Sequence, residues 1–366
     1  MNKKLKIGLL LDDTLDTPDG VQQYVLCLGG WLTNQGHEVH YLVGASKRED
    51  IKHLHSIANN IRVRFNKNRL SIPLPTSRNA IRNLLDELQL DVLHVQMPYS
   101  PLFAGRVIEA APASVKIVGT FHIVPDSWIQ KAGSYALAYF NRKTIKKFHH
   151  IISDSTAAQK TALDVFRMQS TIIPCTVSLK AMHHEPVYRK KLHVVFLGRL
   201  VERKGCGYLL EALAKLNERY SASYNVTIAG KGPLEAELKQ KARKLNLKNV
   251  EFVGFVQEKD KPALLASADI AVFPSTGGES FGIVLIEAMA AGARVVLGGN
   301  NVGYTTVLSE HPDLLIDPRD TTAFANRLHY FMEHKEARDA AHDWAQHSVR
   351  QYDIEVVGRN IERLYH

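Results

Sequence analysis

Short apolar runs alternate with helical stretches along almost the whole chain, and that alternation leaves few folds open. In the first half the runs fall at residues 5–11, 39–43, 61–65, 92–96, 117–120, 151–153 and 171–173, with helical patterns between them, for example at 21–34, 78–88 and 135–149. A polar stretch containing His and Lys, about 174–192, interrupts the pattern and reads as a linker. A second series follows, with strands at 193–197, 225–229, 250–253 and 270–273 and helices at 208–219, 234–245 and 261–268. Strand–helix alternation implies parallel sheets covered on both faces. The expected fold class is α/β, with two Rossmann-like domains facing a central cleft, the first over residues 1–178 and the second over 190–348. A chain of 366 residues is long enough for two domains of ordinary size. It carries no internal repeat and no low-complexity segment.

Residues 273–292, FPSTGGESFGIVLIEAMAAG, carry the chemistry. The strand at 270–273 breaks at Pro274 into a small polar loop, and an apolar helix is expected from about Phe281. A strand that ends in a Gly-rich turn and opens a helix makes an anion site, because the first-turn N–H groups are free and the helix dipole adds partial positive charge. Here those groups belong to Ser280, Phe281 and Gly282. Two glutamates bracket the site. Glu279 lies in the loop, and Glu287 follows eight residues later, about two turns along and on nearly the same face. Phosphate alone has no use for carboxylates, whereas sugar and ribose hydroxyls do. The pairing points to a ligand with both phosphates and sugars, a nucleotide sugar.

The second domain adds Gly198, Arg199 and Lys204 in FLGRLVERKG, directly after its first strand. Ligands bind at the carboxyl ends of such strands, and two cations there can neutralise a diphosphate. Gly230 opens a GKGP turn after the next strand. In the first domain, Pro18-Asp19-Gly20-Val21 joins the first strand to the first helix, and Gly119-Thr120-Phe121-His122 closes the strand at 117–120.

GGESFGIVLIEAMAAG, with its paired Glu279 and Glu287, resembles the paired-glutamate motif of retaining glycosyltransferases of family 4, most of all the bacterial phosphatidylinositol mannosyltransferases. The resemblance covers nearly the whole chain and is strongest from about Val194 to Gly292. It implies the GT-B architecture, with a last helix, about 350–366 and here 352–364, crossing back to the first domain. It also implies that Arg199 and Lys204 hold the donor diphosphate, that His122 sits against the donor sugar, and that Gly20 lets backbone approach the donor. Gly230 would lie near the nucleotide, and Glu258, after the strand at 250–253, near the base. A carboxylate can accept from both N1–H and the exocyclic amine of guanine, which favours a GDP-sugar over a UDP-sugar. The family pattern has two glycines where this chain has Asp19-Gly20, and an Asp beside phosphates repels them unless it caps the helix or faces the acceptor.

The charge balance is +9 with a sequence pI near 9.3, which favours anionic partners. No nucleic-acid-binding signature is present, so phosphorylated substrates and anionic lipid are the better candidates. Arg78, Arg82, Lys143, Lys146 and Lys147 lie on expected first-domain helices, and the last three share a face near Phe140 and Phe148, a basic surface that suits an anionic leaflet or plain solvent equally. No apolar run approaches bilayer length, and the amino-terminal run stops at Asp12–Asp13 and reads as a strand. A cytoplasmic location is expected, with peripheral contact on the inner face of the cell membrane. Cys27, Cys175 and Cys206 are widely spaced and form neither a disulfide framework nor a metal pattern. No DxD-like metal site and no tightly bound cofactor are expected.

The expected activity is transfer of a hexose, with mannose implied by the resemblance, from a nucleoside-diphosphate sugar to a lipid or glycan hydroxyl. Arg199, Lys204, His122 and Glu279 are the candidate catalytic residues, and Glu287 is assigned to the ribose. Two alternatives stand beside this: a family 4 transferase using a UDP-sugar on a soluble or polysaccharide-precursor acceptor, and a non-catalytic nucleotide-sugar-binding homologue.

Overall fold

The structure, a computed structural model, describes residues 3–16, 19–58, 60–65, 68–73, 77–98, 100, 103–125, 128–185, 187, 189–220 and 223–366. Pro18 lies outside the described residues. The chain forms two compact units, residues 1–176 with 354–366, and residues 177–353.

The first unit runs β1 (Lys6–Leu11), α1 (Gly20–Asn34), β2 (Glu38–Val43), β3 (Leu54–Ser56), β4 (Asn60–Phe65), β5 (Asn68–Pro73), α2 (Arg78–Leu88), β6 (Val92–Gln96), α3 (Phe103–Ala110), β7 (Lys116–Phe121), α4 (Trp128–Phe140), β8 (His150–Ser153), α5 (Thr156–Phe166) and β9 (Thr171–Ile172). Seven of these strands pair in the order β3-β2-β1-β6-β7-β8-β9, all in parallel. The central strands read as unbroken apolar runs because both faces are covered; Leu9, Leu10 and Leu11 are fully buried, as are Leu93 and Val95.

Two expectations need correction here. The strand at 61–65 does not join the parallel sheet. It forms β4 of a separate antiparallel hairpin with β5. Only two residues separate β4 from β5, and so short a connection permits antiparallel pairing alone. The helix expected at 135–149 instead spans Trp128–Phe140 as α4. Asn141 ends it: its side-chain amide donates to the Leu137 carbonyl at 2.8 Å, and the Thr144 hydroxyl donates to the Asn141 carbonyl at 2.9 Å. Such local side-chain bonds compete with helix continuation. Lys143, Lys146 and Lys147 therefore share no helical face, and the Lys147 ammonium donates to the carbonyls of Ile108 and Glu109 at the end of α3.

The second unit runs α6 (Leu179–Met182), β10 (Leu192–Leu197), α7 (Cys206–Arg219), β11 (Tyr224–Ala229), α8 (Glu235–Lys244), β12 (Val250–Gly254), α9 (Lys261–Ala266), β13 (Ile270–Phe273), α10 (Ile283–Ala291), β14 (Val295–Gly299), α11 (Val302–Leu308), β15 (Leu315–Ile316), α12 (Thr321–Glu333) and α13 (Lys335–Ser348). Its sheet is parallel in the order β12-β11-β10-β13-β14-β15. The order reverses between β10 and β13, and ligand crevices of open α/β sheets form at such a reversal, outside the carboxyl ends of the strands.

The last helix, α14 (Ile354–Glu362), belongs to the first unit, where it packs on α1. Glu362 meets His37 at 3.1 Å, and the Tyr365 hydroxyl meets His94 Nδ1 at 2.7 Å.

Candidate active site

In the second unit the loops after β10, β11 and β13 converge, and two glycines set how closely. Gly205 has φ +75°, and a Cβ there would lie 1.8 Å from the Pro274 carbonyl oxygen. Gly230 has φ +139°, and a Cβ would lie 1.9 Å from the Gly198 carbonyl oxygen. Both positions combine a left-handed backbone with no room for a side chain, so only glycine serves.

Glu279 is held in this crevice by three donors on one oxygen. Its Oε1 accepts from Arg203 Nη1 at 2.6 Å, Lys204 Nζ at 2.8 Å and Ser275 Oγ at 2.9 Å. Burial raises the carboxyl pKa, but the Lys204 and Arg203 charges more than offset it, so the pKa lies below the ordinary carboxylate range. Oε2 takes part in none of these bonds.

Glu287 is built the same way from other parts. It is the one charged residue of α10, whose residues from Leu285 to Ala291 are all buried. Its Oε1 meets Lys261 Nζ at 2.7 Å, and the same ammonium meets Glu258 Oε2 at 2.7 Å. Burial pulls the Lys261 pKa down, but the two carboxylates outweigh that and leave it raised. Burial also raises Glu287, Lys261 opposes, and the nearby Glu258 charge adds to the rise. One ammonium thus serves two carboxylates. Both glutamates commit Oε1 to a cation, and Oε2 takes no part in those ion pairs.

The expected arrangement of the pair is corrected in one respect. α10 begins at Ile283 rather than Phe281, with Gly282 as a cap that offers no side-chain bond. Glu279 lies in the loop, as expected, and with the helix starting this late it shares no helical face with Glu287. Each is placed by its own cations rather than by a shared helical face. Ser280 and Phe281 lie in the approach loop, where Phe281 packs edge-on against Tyr352, ring centroids 5.6 Å apart. Arg199 follows β10, half-buried, and Gly198 N donates to the Ala229 carbonyl at 3.0 Å.

Arg203 and Lys261 went unread in the sequence. Lys261 had a signal: it stands three residues after Glu258 at the start of a helix, the spacing of a helical ion pair. Arg203 had only its place beside Lys204.

In the first unit, His122 follows β7 with its side chain only 3% exposed. Its Nδ1 faces Asp154 Oδ2 at 3.1 Å, its Nε2 faces Gln96 Oε1 at 2.9 Å, and Tyr24 packs edge-on at 5.3 Å. Gln96 Nε2 is buried without a partner among the described residues. A half-turn of that amide would let it donate to His122 Nε2, while His122 Nδ1 faces Asp154. Cys175 Sγ lies 3.8 Å from the same Asp154 oxygen. His122, Asp154 and Cys175 are, among the described residues, the one trio whose potential ligand atoms lie within 4.8 Å of one another, and they already bond to each other. Gly20 opens α1, and Asp19 occupies the cap position without a side-chain capping bond. Asp12 and Asp13 end β1; burial is the main cause that lifts their pKa values, to about 7 and about 6.

Residues 18–181 match the family described as Glycosyltransferase Family 4, and residues 180–348 match Glycosyl transferases group 1. The chain is 30% identical over 382 residues to a phosphatidyl-myo-inositol mannosyltransferase of Mycolicibacterium smegmatis, covering 99% of this chain and 93% of that one. It belongs to glycosyltransferase family 4. Its fold is that of the GT-B enzymes: HepE of Anabaena, solved in complex with UDP and glucose, superposes with a TM-score of 0.78 at 17% identity over 98% of each chain. A glycosyltransferase of Rickettsia africae gives 0.77 at 16% identity, covering 100% of this chain and 98% of that one.

Proposed function

We propose that this glycosyltransferase is retaining and moves a hexose from a nucleoside-diphosphate sugar to a hydroxyl of a lipid. The observation that carries the reading is the pair of glutamates, each fixed by a cation through Oε1 with Oε2 outside that ion pair, beside the start of α10, which has no side-chain cap. Charge develops on the departing diphosphate, and Arg199, Lys204 and the N–H groups of Ser280–Gly282 would meet it. Glu279 would accept from sugar hydroxyls and Glu287 from the ribose, and His122, held by Asp154, would be a further sugar contact. The acceptor attacks on the face the diphosphate leaves, and a phosphate oxygen takes the acceptor proton. The name of the mycobacterial relative supports mannose as the sugar and an inositol lipid as the acceptor.

A thermal-shift series with GDP, UDP and their sugars tests the reading, since a ligand that binds only the folded chain raises the melting temperature. GDP is expected to stabilise more than UDP. Glu258 keeps Oε1 clear of Lys261, and its side chain is 44% exposed, so it can reach a base. Charged hydrogen bonds of this kind are worth roughly 1.5–3 kcal/mol, so Glu258→Ala should lose about tenfold or more in GDP affinity and nothing in UDP affinity. A wild type that prefers UDP, like the UDP-bound HepE, would replace guanine by uracil in this proposal.

A lipid acceptor would call for a membrane-facing surface, and α4 is the candidate. Trp128, Tyr135 and Tyr139 recur along one side of the helix and are exposed, Trp128 by 78%. Phe140 is exposed at its end, and Arg142 lies over the Tyr139 ring at 4.4 Å. Aromatic side chains flanked by cations suit the headgroup layer of an anionic leaflet. We expect binding to anionic vesicles that weakens as salt rises, because charge attraction is screened within about 10 Å at 0.1 M. Trp128→Ala with Lys143→Glu and Lys146→Glu should abolish it; Lys147 is left alone because it ties down the end of α3. Equal, negligible binding to neutral and anionic vesicles at low salt would favour a soluble acceptor. No described helix is long and apolar enough to cross a membrane.

A further inference from the structure

Three donors on Glu279 Oε1 are one more than its two lone pairs require. They are not equivalent. Arg203 is built into the loop it contacts: its carbonyl accepts from the Thr276 N–H at 2.8 Å, and its Nη1 also reaches the Gly278 carbonyl at 3.4 Å. The Lys204 ammonium has Glu279 as its one partner among the described residues, at the end of a flexible four-carbon stem. We propose that Lys204 is the exchangeable cation of this site and Arg203 its fixed one. When a diphosphate enters, Lys204 leaves Glu279 for the anion, and Arg203 keeps the carboxylate ionised with Oε2 facing the sugar. Arg203 is then a positioning residue, acting on the donor sugar through Glu279 and on the diphosphate not at all.

The exchange rests on the donor-site reading above, whereas the anchoring role of Arg203 stands on the ligand-free geometry, so two measurements separate them. The first needs no ligand. Hydrogen exchange of residues 276–282 should quicken in Arg203→Ala and stay near wild type in Lys204→Ala; unchanged exchange in Arg203→Ala overturns the anchoring role. The second uses GDP and UDP with their sugar nucleotides. Arg203→Ala should keep nucleoside-diphosphate affinity, lose about tenfold or more in kcat, the equivalent of about 1.4 kcal/mol, and recover part of it in Arg203→Lys. Lys204→Ala should lose nucleoside-diphosphate affinity itself. Equal losses of that affinity in both variants would make Arg203 a phosphate ligand and end the proposal. A wild type that binds no nucleoside diphosphate would defeat the donor-site reading and the exchange with it, while the hydrogen-exchange result would still decide the anchor.

Discussion

Lys261→Met should destabilise the protein by about 3–5 kcal/mol, the usual consequence of removing one partner of a buried ion pair and stranding the other. Lys261 is only 8% exposed, and Glu287, its partner, sits in the most apolar helix of the second unit with a side chain 11% exposed. Glu258 can turn to water once its ammonium is gone, because its side chain is 44% exposed. Glu287, with a side chain only 11% exposed, has far less water to turn to. A fall in melting temperature on the order of 10 °C is expected, given about 2–4 °C per kcal/mol for a unit of this size. The loss should depend on pH. Burial already raises the Glu287 carboxyl, and without Lys261 it rises further. A carboxyl whose folded pKa exceeds its unfolded value binds its proton more tightly in the folded state, so stability drains away as pH rises through the raised value. Lys261→Met should therefore lose less at pH 5 than at pH 8, and adding Glu287→Gln should recover part of the stability at pH 8. Unfolding curves at the two pH values give the answer. A Lys261→Met protein within about 1 kcal/mol of wild type at pH 8 would mean that Glu287 finds water or another partner.

Lys261 also marks the limit of what the chain reveals before it folds. Periodicity located α2 residue for residue and β13 to its ends, because a strand buried on both faces and a helix with one apolar stripe each leave a pattern in a single segment. The glutamates were legible for a similar reason: carboxylates beside a Gly-rich strand–helix turn have few uses. Their partners were not. Arg203 and Glu279 are 76 residues apart, and Lys261 and Glu287 are 26 apart, so those pairs exist only once β10, β12 and β13 are assembled in one sheet. The same holds for His122, whose Asp154 arrives just after β8, 32 residues away. The misread helix after Tyr135 failed for a local reason, since Asn141 and Thr144 bond to backbone where an apolar pattern alone would continue.

Lys204→Ala should lose on the order of 10²–10³ in kcat/KM, the range seen when one preorganised donor to a developing negative charge is deleted. Arg199→Ala should lose at least about tenfold, or about 1.4 kcal/mol of transition-state stabilisation. Both stand at the carboxyl end of β10, where the sheet order reverses and a departing diphosphate would lie. The structure gives a reason to read such losses as chemistry rather than misfolding. Without Lys204, Glu279 keeps the Arg203 and Ser275 bonds at 2.6 and 2.9 Å, so it is not left as a bare buried charge and the loop retains its anchor. Melting temperatures of the two variants should accordingly stay close to wild type, in contrast to Lys261→Met, which removes the ammonium on which Glu287 depends. On this proposal the two lysines separate two uses of a cation: Lys261 holds the fold at Glu287, and Lys204 would serve the substrate. Transfer assays with the sugar nucleotide, beside unfolding curves on the same preparations, decide the matter. If both single variants fold correctly and keep wild-type kcat/KM, the diphosphate does not bind at the end of β10, and the donor site has to be sought elsewhere in the protein.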